Sequence, residues 1–467
     1  MTETDPALMT AESLLSLYAR GRLSPVEAVQ AVMSRIERVN PALNAFAVLD
    51  ERAIAAARES ETRWLAGRPM GVLDGVPCTV KDLIDVAGFP TRRGSLTTSD
   101  AAVPHDAPLV VGLRSAGAVV VGKTTTTEFG WKSPGDCPLH GVTRNPLSLK
   151  HSTGGSSSGA GAAGAACLAP LHVGTDAGGS IRIPAAWCGL VGLKPTYGRI
   201  PQWPAGAFSA VACAGPMTRH VRDAALMFSA MARSDARDPL CLPDDPRDWR
   251  DGIEDGVAGL SVAVVRRLGF EAPSDATAIS AVERAAALLQ EAGAHVEQAD
   301  PEIPDSRAIF GRLWSVALAR LVAGLTPDKQ ALLDDGLREV AAAGGRASGI
   351  EVLDGEAARV ESGHAMADFM RRYDLILCPT VPAGPPLADL PTERPTEALW
   401  RSWAPWTFAF NLTRQPAISV PIGLGSNGLP VAVQVAAALY RDDIVLRAAR
   451  ALERALPPFP VPEIANT

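Results

Sequence analysis

Gly154 to Tyr197 reads GGSSSGAGAAGAACLAPLHVGTDAGGSIRIPAAWCGLVGLKPTY. The stretch opens as a Gly/Ser loop and continues as a helix of small residues. It then runs through a short apolar piece, Leu171-His-Val173, into a second glycine loop, Gly174-Thr175-Asp176-Ala177-Gly178-Gly179-Ser180. Glycines alone establish two loops around a helix and no more. Successive small residues, however, leave backbone N–H groups uncovered, and uncovered N–H groups are what an oxyanion site requires. A serine at the end of such a loop, here Ser180, can attack a carbonyl whose oxygen those donors hold.

Ser180 needs a base, and no histidine lies in an obvious partner motif. A lysine serves if burial lowers its pKa enough to leave the amine neutral. Lys81 follows Gly75-Val-Pro-Cys-Thr-Val80, an apolar strand ending inside the protein, and precedes Asp82-Leu-Ile-Asp85. A lone lysine at a strand end is more often a surface group, so the residues by themselves leave this choice open.

Two further motifs match familiar patterns. Gly117-Ala-Val-Val-Val-Gly122-Lys123-Thr124 reproduces the nucleotide-binding G-x-x-x-x-G-K-T letter for letter. That motif works as a flexible loop between a strand and a helix, wrapping a phosphate with backbone N–H groups. Here the residues between the glycines favour a strand and those before Gly117 look helical, so the context is inverted and Lys123 is expected just after a strand. Gly155-Ser156-Ser157-Ser158-Gly159 matches G-x-S-x-G, with Ser157 as nucleophile, but that elbow needs an apolar strand running into it. The residues before it, His151-Ser-Thr-Gly-Gly155, form a polar loop.

Along the chain, Ser24-Pro25-Val26-Glu27 is a helix start with a capping box, followed by Val26, Val29, Met33 and Ile36 at helical spacing. Leu260 to Val265, Thr277 to Ala292 and His295 to Glu297 read as a β-α-β unit with parallel strands. Leu375 to Cys378, Ile418 to Val420 and Val431 to Val435 are buried-strand candidates, with a hairpin signal at Asn427-Gly428. Asp442 to Leu456 reads as a helix. The expected organisation is one large α/β domain with a central mixed, mostly parallel sheet covered by helices on both faces. Peripheral helices fill 1–66, a catalytic core 67–225, a helical insertion 302–361 and the C-terminal part of the core 374–467.

The net charge of −7 and the absence of a basic cluster argue against a nucleic-acid partner. No apolar run is long enough to span a membrane, and Met1-Thr-Glu-Thr-Asp5 is acidic where a signal peptide is basic. Seven cysteines without a C-x-x-C pair fit reduced thiols in a cytoplasmic protein. The histidines show no ligand spacing, so neither metal nor cofactor is expected. A homodimer is compatible with the sequence. Trp400, Trp403, Trp406, Phe408 and Phe410 crowd one segment, as core packing or as an aromatic wall of the substrate pocket.

The Gly154–Tyr197 block resembles the signature of the amidase signature family, which carries GGSSGG, then GTDTGGSIR-P-A, then CG-VG-KPT. The segment around Lys81, GVPCTVKDLIDVAG, resembles that family's first catalytic block. Gly122-Lys-Thr124 with Glu128-Phe129, Asn145-Pro146, Gly215-Pro216-Met217, Asn411-Leu-Thr413 and Gly428-Leu-Pro430 extend the resemblance over most of the chain. It implies the family's fold and a triad of Ser180 as acyl-enzyme nucleophile, Ser156 as bridging serine behind a cis peptide bond, and Lys81 as base. The oxyanion would be held by backbone amides of Ala177, Gly178, Gly179 and Ser180. The implied reaction is hydrolysis of a small linear amide. Alternatives are the glutaminase subunit of a tRNA-dependent amidotransferase and, from another class, a nucleotide-binding protein using Lys123. Ser158, Thr125-Thr-Thr127 and Arg414-Gln415 depart from the common pattern. Arg414, with Arg182, is a candidate for binding a substrate carboxylate, against the plainer reading of a structural arginine.

Overall fold

The computed structural model of the chain describes residues 5–389 and 404–465. Its organising element is an 11-stranded sheet. In chain order the strands are β1 (Phe46–Leu49), β2 (Pro77–Lys81), β3 (Val119–Thr124), β4 (Leu171–Asp176), β5 (Val191–Lys194), β6 (Cys213–Thr218), β7 (Ser261–Val264), β8 (His295–Gln298), β9 (Leu375–Pro379), β10 (Ala417–Leu424) and β11 (Pro430–Ala437). Across the sheet they run β1-β3-β2-β4-β6-β5-β10-β11-β9-β7-β8.

Side chains on a strand point alternately to its two faces, and both faces here are buried. On β9, Leu375 and Leu377 join one core with the helices Pro108–Ser115, Val221–Met231, Ala276–Glu291 and Asp442–Ala455. Ile376 and Cys378 point the other way, against Ser306–Ala323, Asp335–Gly344 and Gly349–Phe369. On β3, Val120 joins the first core, while Val119 and Val121 pack on the N-terminal helices. The expected mixed α/β domain with helices on both faces is therefore present.

One part of the expectation needs correction: the sheet is not mostly parallel. Among the described residues four neighbouring pairings are parallel and six antiparallel. The β7-helix-β8 crossover is parallel as its hydrophobic pattern predicts. Hairpins and direct returns supply the antiparallel majority. β10 and β11 form one such hairpin through Asn427-Gly428, with Gly428 at φ 74°. The first 66 residues, expected as helices, also contribute the edge strand β1, while the Ser24 capping box forms as read.

Val119–Thr124 is a strand and the residues before it form a helix, so the G-x-x-x-x-G-K-T match is no phosphate loop. Lys123 is fully buried with its Nζ 2.7 Å from Asp82 Oδ1, and it donates to Pro90 O and Thr91 Oγ1. Asp82 in turn accepts from the Arg92 N–H, so the pair locks the segment that follows Lys81. Removing one partner of a buried ion pair leaves an uncompensated charge, at a cost of about 3–5 kcal/mol. Lys123→Met should therefore lose about that much stability in urea denaturation, and ATP should leave the melting temperature of the wild type unchanged. A loss below about 1 kcal/mol, or stabilisation by ATP, would contradict the structural role.

Candidate active site

The strands β2 and β4 lie side by side and parallel, with Val80 opposite Val173, so their carboxyl ends open at the same edge of the sheet. Ligands bind at such edges in open α/β sheets. Lys81 is the last residue of β2, and Thr175 and Asp176 end β4. The Lys81 side chain is fully buried. Its Nζ lies 2.7 Å from Ser156 Oγ, 2.9 Å from Ser157 Oγ and 2.9 Å from Thr175 Oγ1. Burial pushes its pKa well below the ordinary lysine value, and the charge of Asp176 offsets that only in part. In its neutral form, the one burial favours, the amine carries two N–H groups and one lone pair.

The neighbouring hydroxyls fit that state. Ser157 Oγ is 3.3 Å from the Thr175 carbonyl, so it can donate there and accept from Lys81. With Thr175 Oγ1 taking the second N–H, the lysine lone pair is left for the Ser156 hydroxyl. Ser157, the nucleophile of the rejected G-x-S-x-G reading, is fully buried and precedes the helix Ser158–Ala165. Its hydroxyl meets the Lys81 amine instead.

Ser156 follows a cis peptide bond from Gly155, and its carbonyl accepts from the Thr127 N–H at 3.3 Å. The Ser157 N–H donates to Ser180 O at 3.2 Å, which ties the two glycine loops together. Ser156, Thr175, Ala177 and Ser180 all line one cavity. Gly130, at φ 77°, approaches so closely that a Cβ would lie 3.2 Å from Ser156 Oγ.

The loop between Asp176 and Arg182 is shaped by a buried ion pair. Asp176 Oδ1 and Arg182 Nη2 are 2.9 Å apart, with both side chains fully buried. The carboxylate also accepts from the backbone N–H groups of Gly179, Ile181 and Arg182 and from Asn411 Nδ2. Burial alone would raise its pKa; the Arg182 guanidinium, helped by Lys194 and Asn411, holds it well below the usual carboxylate range. One consequence corrects the oxyanion assignment. The Gly179 N–H is spent on Asp176 Oδ1 at 2.7 Å, so Gly179 cannot donate to a substrate. Ala177, Gly178 and Ser180 keep N–H groups with no partner among the described residues. Gly179 has a different duty: it sits at φ 133°, where a Cβ would run into Thr407 Oγ1.

Neither arginine offered for a substrate carboxylate reaches the cavity. Arg182 gives its side-chain donors to Asp176, Thr407 O, Gln434 Oε1 and Asn411 Oδ1, and none remains for a ligand. Arg414 lies behind the loop 205–212. Its guanidinium covers the Tyr197 ring at 4.1 Å and donates to Ala210 O, and Tyr197 in turn donates to Ser209 O. It braces a wall whose other side, including Ser209 and Ala212, faces the cavity. Trp400 and Trp403 fall outside the described residues. Trp406, Phe408 and Phe410 are buried, and Phe408 stacks between Phe270 and Phe310, so these three are core packing. The aromatic cavity wall comes instead from Phe129, Trp203 and Phe208. Among the described residues no cluster of His, Cys, Asp or Glu is placed to hold a metal ion. None of the described helices is long and apolar enough to cross a membrane.

The family model Amidase matches residues 27–446. An acylamidase of Rhodococcus erythropolis is 37% identical over 465 residues, covering 98% of this chain and 97% of its own. A glutamyl-tRNA(Gln) amidotransferase component from Symbiobacterium thermophilum is 34% identical over 483 residues, 96% of either chain. Among solved structures, a bacterial aryl acylamidase of the amidase signature enzymes superposes with TM-score 0.88 at 29% identity over 96% of both chains. The 6-aminohexanoate cyclic dimer hydrolase, solved with its substrate, gives TM-score 0.89 at 31% identity over 99% of this chain and 100% of its own. The chain thus belongs to the amidase family, the amidase signature enzymes, and is a carbon–nitrogen hydrolase acting on linear amides.

Proposed function

We propose that the protein hydrolyses a small-molecule carboxamide through an acyl-enzyme on Ser180, with Lys81 and Ser156 relaying protons. The observation that carries this reading is the buried Lys81 Nζ, 2.7 Å from Ser156 Oγ on the wall of the cavity that Ser180 shares. Neutral Lys81 takes the Ser156 proton as Ser156 takes that of Ser180. Ser180 Oγ bonds to the carbonyl carbon, and the free N–H groups of Ala177, Gly178 and Ser180 hold the oxyanion. Losing one such donor typically costs about 3–4 kcal/mol of barrier. The proton returns through Ser156 to the leaving nitrogen, the C–N bond breaks, and ammonia or an amine departs. Water then repeats the relay, releasing the carboxylic acid and regenerating Ser180.

The acylamidase relative and the aryl acylamidase fold neighbour support an amidase that acts on acyl amides. A second reading, the glutaminase component of an amidotransferase, rests on relatives at 34% identity. A panel of aliphatic, aromatic and carboxylate-bearing amides with glutamine among them separates the two, since the first reading expects acyl amides to be cleaved without partner proteins.

Ser180→Ala should keep the fold and lower turnover by on the order of 10⁴-fold or more, as loss of an acylating nucleophile does elsewhere. Mass spectrometry after treatment with a fluorophosphonate should find the adduct on Ser180; an adduct on Ser157 would overturn the assignment. The base makes a separate prediction. Because burial lowers the Lys81 pKa, the active neutral form accumulates as pH rises through that value. The rising limb of kcat/KM should therefore lie below pH 10.5, the ordinary lysine value, and flatten above the lowered pKa. Lys81→Ala and Lys81→Arg should both lose most of the rate, since a guanidinium stays protonated. An arginine variant of near-normal rate would exclude Lys81 as proton acceptor.

A further inference from the structure

Along the cavity wall from Ser180 the lining is largely apolar, through side chains such as Leu83, Ile84, Phe129 and Leu321, but it includes one charged pair the reaction does not use, Asp85 and Arg93. Asp85 is only 5% exposed. Its Oδ2 meets His105 Nε2 at 3.0 Å, yet its Oδ1 is buried without any hydrogen-bond donor. The nearest guanidinium, Arg93 Nη2, stands 3.9 Å away, beyond hydrogen-bond length. Arg93 is in turn the one cationic side chain on this wall among the described residues, and its guanidinium makes no hydrogen bond there. The residue is held at the rim in a left-handed backbone conformation, φ 54°, by its N–H to Asp82 O at 3.1 Å and by the Phe129 N–H to its carbonyl at 2.8 Å. Such a conformation is costly for a residue with a side chain and persists where surrounding structure fixes it.

The pair therefore offers unfilled donors on Arg93 and an unfilled acceptor on Asp85, with charges that cancel. We propose that Asp85 and Arg93 form a second polar subsite, which recognises a neutral donor–acceptor group, a second carboxamide, carried by the substrate away from the bond that is cut. This rests on the amide-hydrolase reading above and adds the substrate class. A carboxamide presents its oxygen to Arg93 and its N–H to Asp85 Oδ1, with a small side-chain shift of the partly exposed arginine opening that atom. A carboxylate in the same place would meet Arg93 but be repelled by Asp85, and an ammonium would be repelled by Arg93. Either ion would also lose its hydration against the apolar lining. A site with buried polar groups discriminates strongly against a ligand that leaves them unpaired.

The test is kcat/KM on matched anilides of several chain lengths, in two series that place the distal group on the acyl or on the amine part. The distal groups are a carboxamide, an isosteric alkyl, a carboxylate and an ammonium. The wild type should prefer the carboxamide over the other three by tenfold or more in one series. Arg93→Met should reduce the carboxamide-to-alkyl ratio to within threefold, with Arg93→Lys retaining part of it. Asp85→Asn should raise the carboxylate compound at least tenfold relative to the carboxamide. Fluorophosphonate labelling of Ser180 in each variant counts the folded sites; should Arg93→Met fail to label, Arg93→Lys and Asp85→Asn decide. A wild type that cleaves the series without preference, or a preference that survives these substitutions, overturns the inference alone. A wild type that cleaves no member overturns the amide-hydrolase reading and this inference with it.

Discussion

At the end of β4 a carboxylate and a guanidinium sit where no water reaches them, and each is the other's counter-ion. Asp176 folds the following loop around itself by taking the N–H groups of Gly179, Ile181 and Arg182. Arg182 then reaches across to Thr407, Asn411 and Gln434, joining that loop to the helix Phe408–Leu412 and the strand β11. Asn411 returns the connection by donating to Asp176 O and Val211 O, which fixes the start of the loop and the cavity wall beside it. The position of Ser180 and the freedom of the amides at Ala177, Gly178 and Ser180 are set by this pair. Breaking it from either side strands a buried charge, which costs more than any single hydrogen bond of the site.

The second constraint is electrostatic and acts on Lys81. Asp176 is close enough to favour the ammonium form, but its charge is already committed to Arg182, and burial of Lys81 prevails. The same carboxylate thus shapes the loop that leads to Ser180 while burial keeps the Lys81 pKa low. Lys123, one strand away, shows the opposite arrangement. It has a carboxylate of its own at 2.7 Å and serves structure. Two buried lysines on adjacent parallel strands thus differ in surroundings: Lys123 has a dedicated counter-ion, whereas Lys81 is met by the hydroxyls of Ser156, Ser157 and Thr175.

Much of this was legible in the residues. The β7-helix-β8 unit, the β10-β11 hairpin and the Ser24 cap follow from hydrophobic periodicity and turn chemistry. The inverted context of Gly117–Thr124 was enough to reject a phosphate loop. The antiparallel centre of the sheet was not readable, because β5 and β6 carry no alternating pattern and Pro216 sits inside β6. The burial of Lys81 is not legible in its segment, since nothing local distinguishes a buried strand-end lysine from an exposed one. The partner of Arg182 is hidden in the sequence for a related reason. Whether an arginine faces a ligand or a carboxylate six residues back depends on how a loop turns, and Asp176 turns this one. The same turn spends the Gly179 amide, a detail invisible in a run of glycines. The open arginine, Arg93, lies in Thr91-Arg-Arg-Gly94, which carries no catalytic pattern.

The proposed relay requires Lys81 to be a neutral amine at working pH, and its protonation can be observed directly. The protein labelled with ¹⁵N at lysine Nζ and ¹³C at Cε, compared with its Lys81→Arg variant, identifies the Lys81 resonance in an NMR titration. The expected result is the chemical shift of a free amine near neutral pH, with a titration midpoint well below 10.5, the ordinary lysine value. An ammonium shift that persists through neutrality and titrates near that ordinary value would contradict it.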